Sequence, residues 1–171
     1  MHSVGIPHRQ RCRSLCVCLK NELQAEVIEP LLKALGFDNI KDVSGPRERG
    51  KDSVATKPND FRRIELFSIQ IKKWKPDAKA ASSRSFGHLL KQLGQAIKEP
   101  VIHPNTKERQ KPNKCLFFTP YEIPARTQEN FHERMLATMN SGVEIIDGPT
   151  IIRLLLEHSP ATAATYKKVV Y

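Results

Sequence analysis

The sequence contains no apolar run that approaches the roughly 18 residues required of a transmembrane helix. Its early apolar stretch, residues 14–19, is too short and too rich in cysteine for the core of a signal peptide. A glycine-rich phosphate loop and a GxGxxG motif are also missing, which argues against dependence on ATP or a dinucleotide. The cysteines, three within residues 12–18 and one at position 115, lack the even spacing of a secreted disulfide framework. These absences predict a cytoplasmic protein with free thiols and no membrane partner.

The chain carries an excess of positive charge. Its 171 residues include 28 Lys and Arg against 18 Asp and Glu, which gives a formal net charge of +10. The basic residues are spread along the chain instead of forming one tail, and this favours a polyanionic partner. We therefore expect a single domain whose partner is nucleic acid, DNA in the first place, with RNA left open.

The order of predicted elements indicates the fold class. Apolar residues recur at helical spacing over residues 14–35, where Gly36 provides a stop and Pro30 predicts a kink or a break. Strand-like runs follow, of which residues 62–74 alternate most clearly, and helices then alternate with strands. This order predicts an α/β domain over residues 14–158, with a mixed central sheet flanked by helices on both faces. The remaining segments are predicted as a flexible basic arm (1–13), a turn-rich loop (100–113) and a C-terminal tail (159–171).

Polar side chains are predicted to meet at one edge of this sheet. Asp52 opens a predicted strand, and Gln70 and Lys72 share one face near the end of the next strand. A strand, a turn and a return strand fit between Asp52 and Gln70 and would bring them together. The Asp52 carboxylate, the Gln70 amide oxygen and the Ile71 carbonyl are hard oxygen ligands suited to Mg²⁺ or Mn²⁺. The same residues also fit a frayed strand end with solvated Gln70 and Lys72, and the spacing alone leaves both interpretations open.

The wider pattern resembles a known nuclease superfamily. Its specific motifs are Gly50-Lys51-Asp52 and Gln70-Ile71-Lys72, which lie between a helix ending in "LLKALGF" and the later segments "KCLFFTP" and "VEIIDGPTIIRLL". Over roughly residues 23–157 this arrangement resembles the PD-(D/E)XK restriction-endonuclease-like superfamily and is most similar to the Mrr-type nucleases. The resemblance implies a restriction-endonuclease-like fold and metal-dependent hydrolysis of DNA phosphodiester bonds, in restriction, defence or the cutting of mobile elements.

The resemblance also assigns roles to individual residues. It implies that Asp52 binds the metal, that Gln70 takes the metal-side position of an acid, and that Lys72 is the catalytic lysine. Lys51 stands where a proline is usual, and the neutral Gln70 leaves one certain carboxylate. A catalytically silent nucleic-acid-binding or assembly module on the same fold is the alternative. A homodimer or a separate specificity partner is expected, because a double-strand cut usually needs two sites.

The first helix is the expected source of a further site residue. Relatives with a neutral residue in the place of Gln70 often take another group from this helix. At about 100° per residue, Gln24 falls on the apolar face of the helix, where a buried polar side chain needs a partner. Gln24 is therefore the first candidate, and Glu26 is the acidic alternative.

Basic and aromatic residues around the motifs are candidates for contact with nucleic acid. Trp74 lies between two lysines, where its ring would either stack on a base or cap the sheet edge. Arg84 precedes a helix that borders DNA in nucleases of this shape, although a solvated polar face explains the same residue. The complete predicted set is Lys51, Lys73, Trp74, Lys75 and Arg84.

Overall fold

A mixed five-stranded sheet forms the centre of the protein. The computed structural model describes residues 20–43, 51–73, 86–139 and 142–170. The strands in these residues are β1 (Asp38–Asp42), β2 (Ser53–Pro58), β3 (Ile64–Ile71), β4 (Val101–Ile102), β5 (Arg109–Gln110), β6 (Lys114–Phe118) and β7 (Val143–Ile146). The central sheet has the order β1-β2-β3-β6-β7, and β4 pairs with β5 in a separate sheet. Strand β1 pairs antiparallel with β2 and β2 with β3, whereas β3 pairs parallel with β6 and β6 with β7.

Helices cover both faces of the central sheet. They are α1 (residues 20–34), α2 (Phe86–Lys98), α3 (Ala125–Met139), α4 (Gly148–His158) and α5 (Pro160–Val170). Leu23 of α1, Ile151 of α4 and Tyr166 of α5 belong to the hydrophobic core on one face. Leu93 of α2 and Phe131 of α3 belong to the core on the other. The predicted α/β class, with a mixed sheet between helices, is therefore confirmed. None of the described helices combines the length and the apolar character needed to cross a membrane.

The alternation of β3 directs its side chains into these two cores. Phe67, Ile69 and Ile71 pack under α1, α4 and α5. Ser68 instead pairs with Cys115 of β6, which lies in the core under α2 and α3. Gln70 has the same parity as Ser68, so β3 ends with a buried amide on the face opposite Ile71.

Helix α1 continues past Pro30 without a break. Its backbone is π-helical over Gln24–Ile28 and α-helical over Glu29–Ala34, with Pro30 in the first turn of the second segment. Glu29 N–H donates to Gln24 O, five residues back, so a π-turn directly precedes Pro30 and accommodates the ring nitrogen, which has no N–H to donate. The helix ends just before Gly36, the predicted stop, which has a φ of 82°. Phe37 N–H closes this end by donating to Leu32 O over 2.9 Å.

Two segments are more ordered than their composition predicts. The expected turn-rich loop contains the β4–β5 pair, and His103 in that loop is buried. The expected tail forms α5, whose Tyr166 is 1% exposed and belongs to the core shared with α1. In the tail, one buried aromatic among small residues gives too weak a period to predict a packed helix from sequence.

Gly148 is required by the close approach of the loop that follows β6. A Cβ atom on Gly148 would lie 2.2 Å from Pro120 O, whereas a Cβ atom on Gly87 in α2 would meet nothing within 4 Å. We expect Gly148→Ala to lower the free energy of unfolding by about 2 kcal/mol or more, because backbone atoms must move apart. Gly87→Ala is the matched control and should be neutral or stabilising by up to about 1 kcal/mol. Urea unfolding of both variants measures this, and equal effects would contradict the close approach.

The buried thiol of Cys115 gives stability a specific pH dependence. Burial raises the pKa of Cys115 to about 12 from 9.0 and outweighs the opposing effects of the Ser68 hydrogen bond and the Lys51 charge. The thiol stays neutral in the folded state while it ionises in the unfolded state above pH 9, so stability falls as pH rises. Between pH 8 and pH 10, wild type should lose about 1 kcal/mol more than Cys115→Ala. Parallel urea unfolding curves test this, and identical pH dependence would contradict it.

Candidate functional site

Asp52 lies immediately before β2, where the antiparallel half of the sheet ends. Its backbone N–H donates to Ile69 O over 2.8 Å, and its carbonyl oxygen accepts from Val43 N–H over 2.9 Å. These bonds extend the pairing of β1, β2 and β3 by one residue and fix the Asp52 backbone between its neighbours. Asp52 is fully buried. A carboxylate in this position must be matched by hydrogen bonds or by an opposite charge.

Both carboxylate oxygens of Asp52 have partners. Oδ2 accepts from the backbone N–H of Ile71 over 2.6 Å and from the Gln70 side-chain amide over 2.8 Å. Oδ1 forms an ion pair with Lys20 Nζ. The structure therefore brings Asp52 and Gln70 together across 18 residues of chain, through the β2–β3 hairpin.

Lys20 is a site residue that the sequence analysis missed. Its ammonium comes from the start of α1, and its side chain is 28% exposed while that of Asp52 is 1% exposed. Opposite charge in this position stabilises a carboxylate that is removed from water. The spacing to Gln24 offered a signal, because residues four apart on a helix lie on the same side. Both side chains point from α1 to the start of β2.

Of the two helix-borne candidates, Gln24 lies at the site and Glu26 does not. The Gln24 side-chain amide donates to Ser53 Oγ over 2.8 Å, and both residues are buried. Glu26 is exposed. Gln24 therefore fixes α1 against the residue next to Asp52, and the polar residue on the apolar side of the helix finds a partner as expected.

Gln70 carries an unsatisfied oxygen at the same place. Its Nε2 donates to Asp52, while its Oε1 is buried and has no hydrogen-bond partner in the part of the chain that the structure describes. Buried polar atoms without a partner are rare and often mark a place for a ligand or a water molecule. Together with the charge on Asp52, this oxygen makes the site suited to a cation.

The donor set for a metal ion is small. Among the described residues, no group of three or more His, Cys, Asp or Glu side chains is placed to hold a metal. The available hard ligands are the Asp52 carboxylate, the unsatisfied Gln70 Oε1 and the expected Ile71 carbonyl. These oxygens fit Mg²⁺ or Mn²⁺ in kind, and Lys20 Nζ already supplies a positive charge to Asp52 Oδ1.

The lysines of the two motifs lie in different environments. Lys72 directly follows β3, donates its backbone N–H to Phe118 O over 2.9 Å and is half-buried, as is Lys73. Lys51 is only 2% exposed. Its charge therefore lies in the interior in this structure, which corrects the expectation that Lys51 meets nucleic acid at the surface. The other residues of that set, Trp74, Lys75 and Arg84, lie outside the described residues.

The chain was also compared with known proteins. It matches no family model, no curated protein and no solved structure. The likeness to the restriction-endonuclease-like superfamily therefore depends on the motifs of this chain alone.

Proposed function

We propose that the protein is a metal-dependent DNA endonuclease that hydrolyses phosphodiester bonds and has a restriction-endonuclease-like fold. The observation that carries this proposal is the contact between Asp52 and Gln70 at the end of the β2–β3 hairpin. The contact joins the two halves of the proposed motif at one point, where Asp52 Oδ1 pairs with the Lys20 ammonium. A mixed sheet with three antiparallel strands followed by parallel ones supports the same assignment.

The chemistry of the site is consistent with this activity. Asp52, Gln70 Oε1 and the Ile71 carbonyl would hold Mg²⁺ or Mn²⁺. A bound divalent ion takes up charge on the phosphate and lowers the pKa of water. For Gln70 to take part, its amide would present Oε1 to the ion, and this is the atom that has no partner among the described residues. Burial of Asp52 lowers the local dielectric constant and strengthens these electrostatic interactions.

Lys72 is the proposed catalytic lysine. It follows Ile71 directly, and strand alternation places it on the same face of the strand as Gln70. From this position its ammonium would orient the attacking water and stabilise charge that develops on the phosphate. The net charge of +10 supports a polyanionic substrate. RNA is the alternative substrate for the same hydrolysis. A second copy or a separate partner would supply specificity.

The cleavage of supercoiled plasmid tests the proposal. Wild type should nick or linearise the plasmid with Mg²⁺ or Mn²⁺. Asp52→Asn and Lys72→Ala should each lower the rate at least about a hundredfold, because Asp52 would hold the metal ion and Lys72 would stabilise charge on the reacting phosphate. Agarose gels over a time course give the rates.

Lys33→Ala is the matched control for Lys72→Ala. Lys33 is exposed near the end of α1, so its loss changes the net charge without touching the site. Circular dichroism must show that all variants are folded. An inert wild type with both metals, or a Lys72→Ala variant that cuts at the wild-type rate, would contradict the proposal.

The ion pair between Lys20 and Asp52 favours a second candidate function. In a catalytically silent nucleic-acid-binding module, Lys20 would permanently neutralise the only carboxylate of the motif. Such a module would bind DNA equally well with EDTA and with Mg²⁺. The two functions therefore differ in whether a divalent ion can replace the Lys20 ammonium at Asp52 Oδ1.

The Lys20→Met variant separates these functions without measuring cleavage. In EDTA it should lose about 3 kcal/mol of unfolding free energy, because a buried carboxylate is left without its opposite charge. If the site accepts Mg²⁺ or Mn²⁺, adding the ion should raise the melting temperature of this variant more than that of wild type. Lys33→Met serves as the control. A melting temperature of Lys20→Met that neither ion changes would favour the silent module.

A further inference from the structure

The turn between β2 and β3, residues 59–63, holds an aromatic ring in solvent. Phe61 in this β2–β3 turn is 84% exposed. Folding normally removes such a ring from water, since burying it is favourable by roughly 2 kcal/mol. Single exposed apolar residues are common on protein surfaces, so exposure alone does not mark a site. The construction of the turn and its neighbours gives this ring its significance.

Asn59 fixes the backbone of the turn. Its side-chain Oδ1 accepts from the N–H groups of Phe61 and Arg63, each over 3.0 Å. Its own backbone N–H donates to Arg63 O over 2.9 Å, and its carbonyl accepts from Arg62 N–H over 2.8 Å. Its Nδ2 donates to Glu65 Oε1 over 3.3 Å. The ring of Phe61 is therefore presented on a closed, hydrogen-bonded turn.

Two arginines follow the ring directly. Arg62 and Arg63 are both exposed. Arg62 has a φ of 58°, a left-handed backbone conformation that residues other than Gly, Asn and Asp adopt infrequently. The guanidinium groups are well suited to phosphate because they offer several donors in one plane. Ring and cations thus stand side by side at the tip of the hairpin.

A groove lies next to the turn, with Phe61 as part of its lining. It has a volume of about 570 Å³ and an apolar floor that includes Phe37 and Phe67. Lys57 Nζ lies 5.0 Å from the centre of the Phe37 ring, and Lys114 Nζ lies 5.9 Å from that of Phe67. Three carboxylates, those of Asp60, Glu65 and Glu144, line the groove beside these lysines and can accept from the amino groups of a base. Lys114 Nζ lies 3.7 Å from Glu65 Oε2. A groove of this size with both donors and acceptors suits a nucleobase.

We propose that the β2–β3 turn and its groove bind an unpaired nucleotide of single-stranded nucleic acid. A base stacks on the ring of Phe61, the neighbouring phosphates meet Arg62 and Arg63, and the groove takes up the nucleotide that follows. Only an unpaired strand offers free base faces to the ring. The inference shares with the proposed function the choice of nucleic acid as partner, but it requires neither metal nor cleavage.

A protein pocket is the competing occupant for an exposed phenylalanine. Insertion of Phe61 into an apolar pocket would bring Arg62 and Arg63 to the same interface and remove their charges from water at a cost. Phosphate contacts instead satisfy these charges. The charge balance of the chain, +10, also favours a polyanion over a protein surface.

Fluorescence anisotropy in EDTA tests the site with a labelled oligothymidine and a blunt duplex of equal length. Phe61→Ala should weaken binding of the single strand about tenfold or more and change duplex binding less than about twofold. Phe61→Trp should restore the affinity, and stacking on thymine should quench the added tryptophan fluorescence. Arg63→Gln should lower the slope of binding against salt by about one, which Phe61→Ala should leave unchanged.

Ile102→Ala is the matched control, because Ile102 is 57% exposed on the separate β4–β5 pair. Single-strand binding by Phe61→Ala that equals wild type would overturn the proposal, as would an equal loss for duplex and single strand. Self-association that depends on Phe61, without an effect on the oligothymidine, would assign the ring to a protein contact and overturn it too. If Phe61→Ala loses single-strand binding while wild type does not cut the plasmid, this site is retained and the nuclease proposal is rejected.

Discussion

The burial of one carboxylate determines how the antiparallel half of this protein is assembled. Asp52 is removed from water, and its negative charge is retained at a low energetic cost only if donors surround it. Those donors come from two separate elements: Gln70 and Ile71 from the end of β3, and Lys20 from the start of α1. The register of the β2–β3 hairpin and the position of the first helix must therefore both be correct before Asp52 is satisfied. The polar cluster specifies one arrangement of elements that apolar packing alone would leave less defined.

The same cluster combines satisfied and unsatisfied groups. Asp52 has donors on both oxygens, and Gln24 is paired with Ser53, so the approach of α1 to the sheet is fixed by polar contacts. Gln70 is different because it satisfies Asp52 with its NH₂ group and leaves Oε1 buried without a partner among the described residues. An amide in a purely structural role would be expected to use both ends. The unsatisfied oxygen is thus a reason to regard the cluster as a binding site. The Lys20 ammonium pairs with Asp52 Oδ1, where a divalent ion would have to replace it.

Sequence patterns predicted the parts of this fold that repeat regularly. The alternation in β3 is long enough to assign its faces, and Gly36 marks the end of α1 because its backbone is left-handed. The meeting of Asp52 and Gln70 followed from the length of a hairpin. Lys20 could not be identified in this way, because its role depends on where the start of α1 lies relative to β2. The buried state of Lys51 was equally inaccessible, since lysine is ordinarily a surface residue.

One hairpin connects the candidate cation site to the exposed ring. Asp52 precedes β2, and Phe61 follows its end, so the six residues of β2 separate them by about 20 Å at about 3.3 Å per residue. Continuous pairing from Ser53 with Ile69 to Pro58 with Ile64 keeps that distance fixed. Under the two proposals above, the length of β2 therefore sets the distance between a nucleotide bound at the turn and an ion held at Asp52.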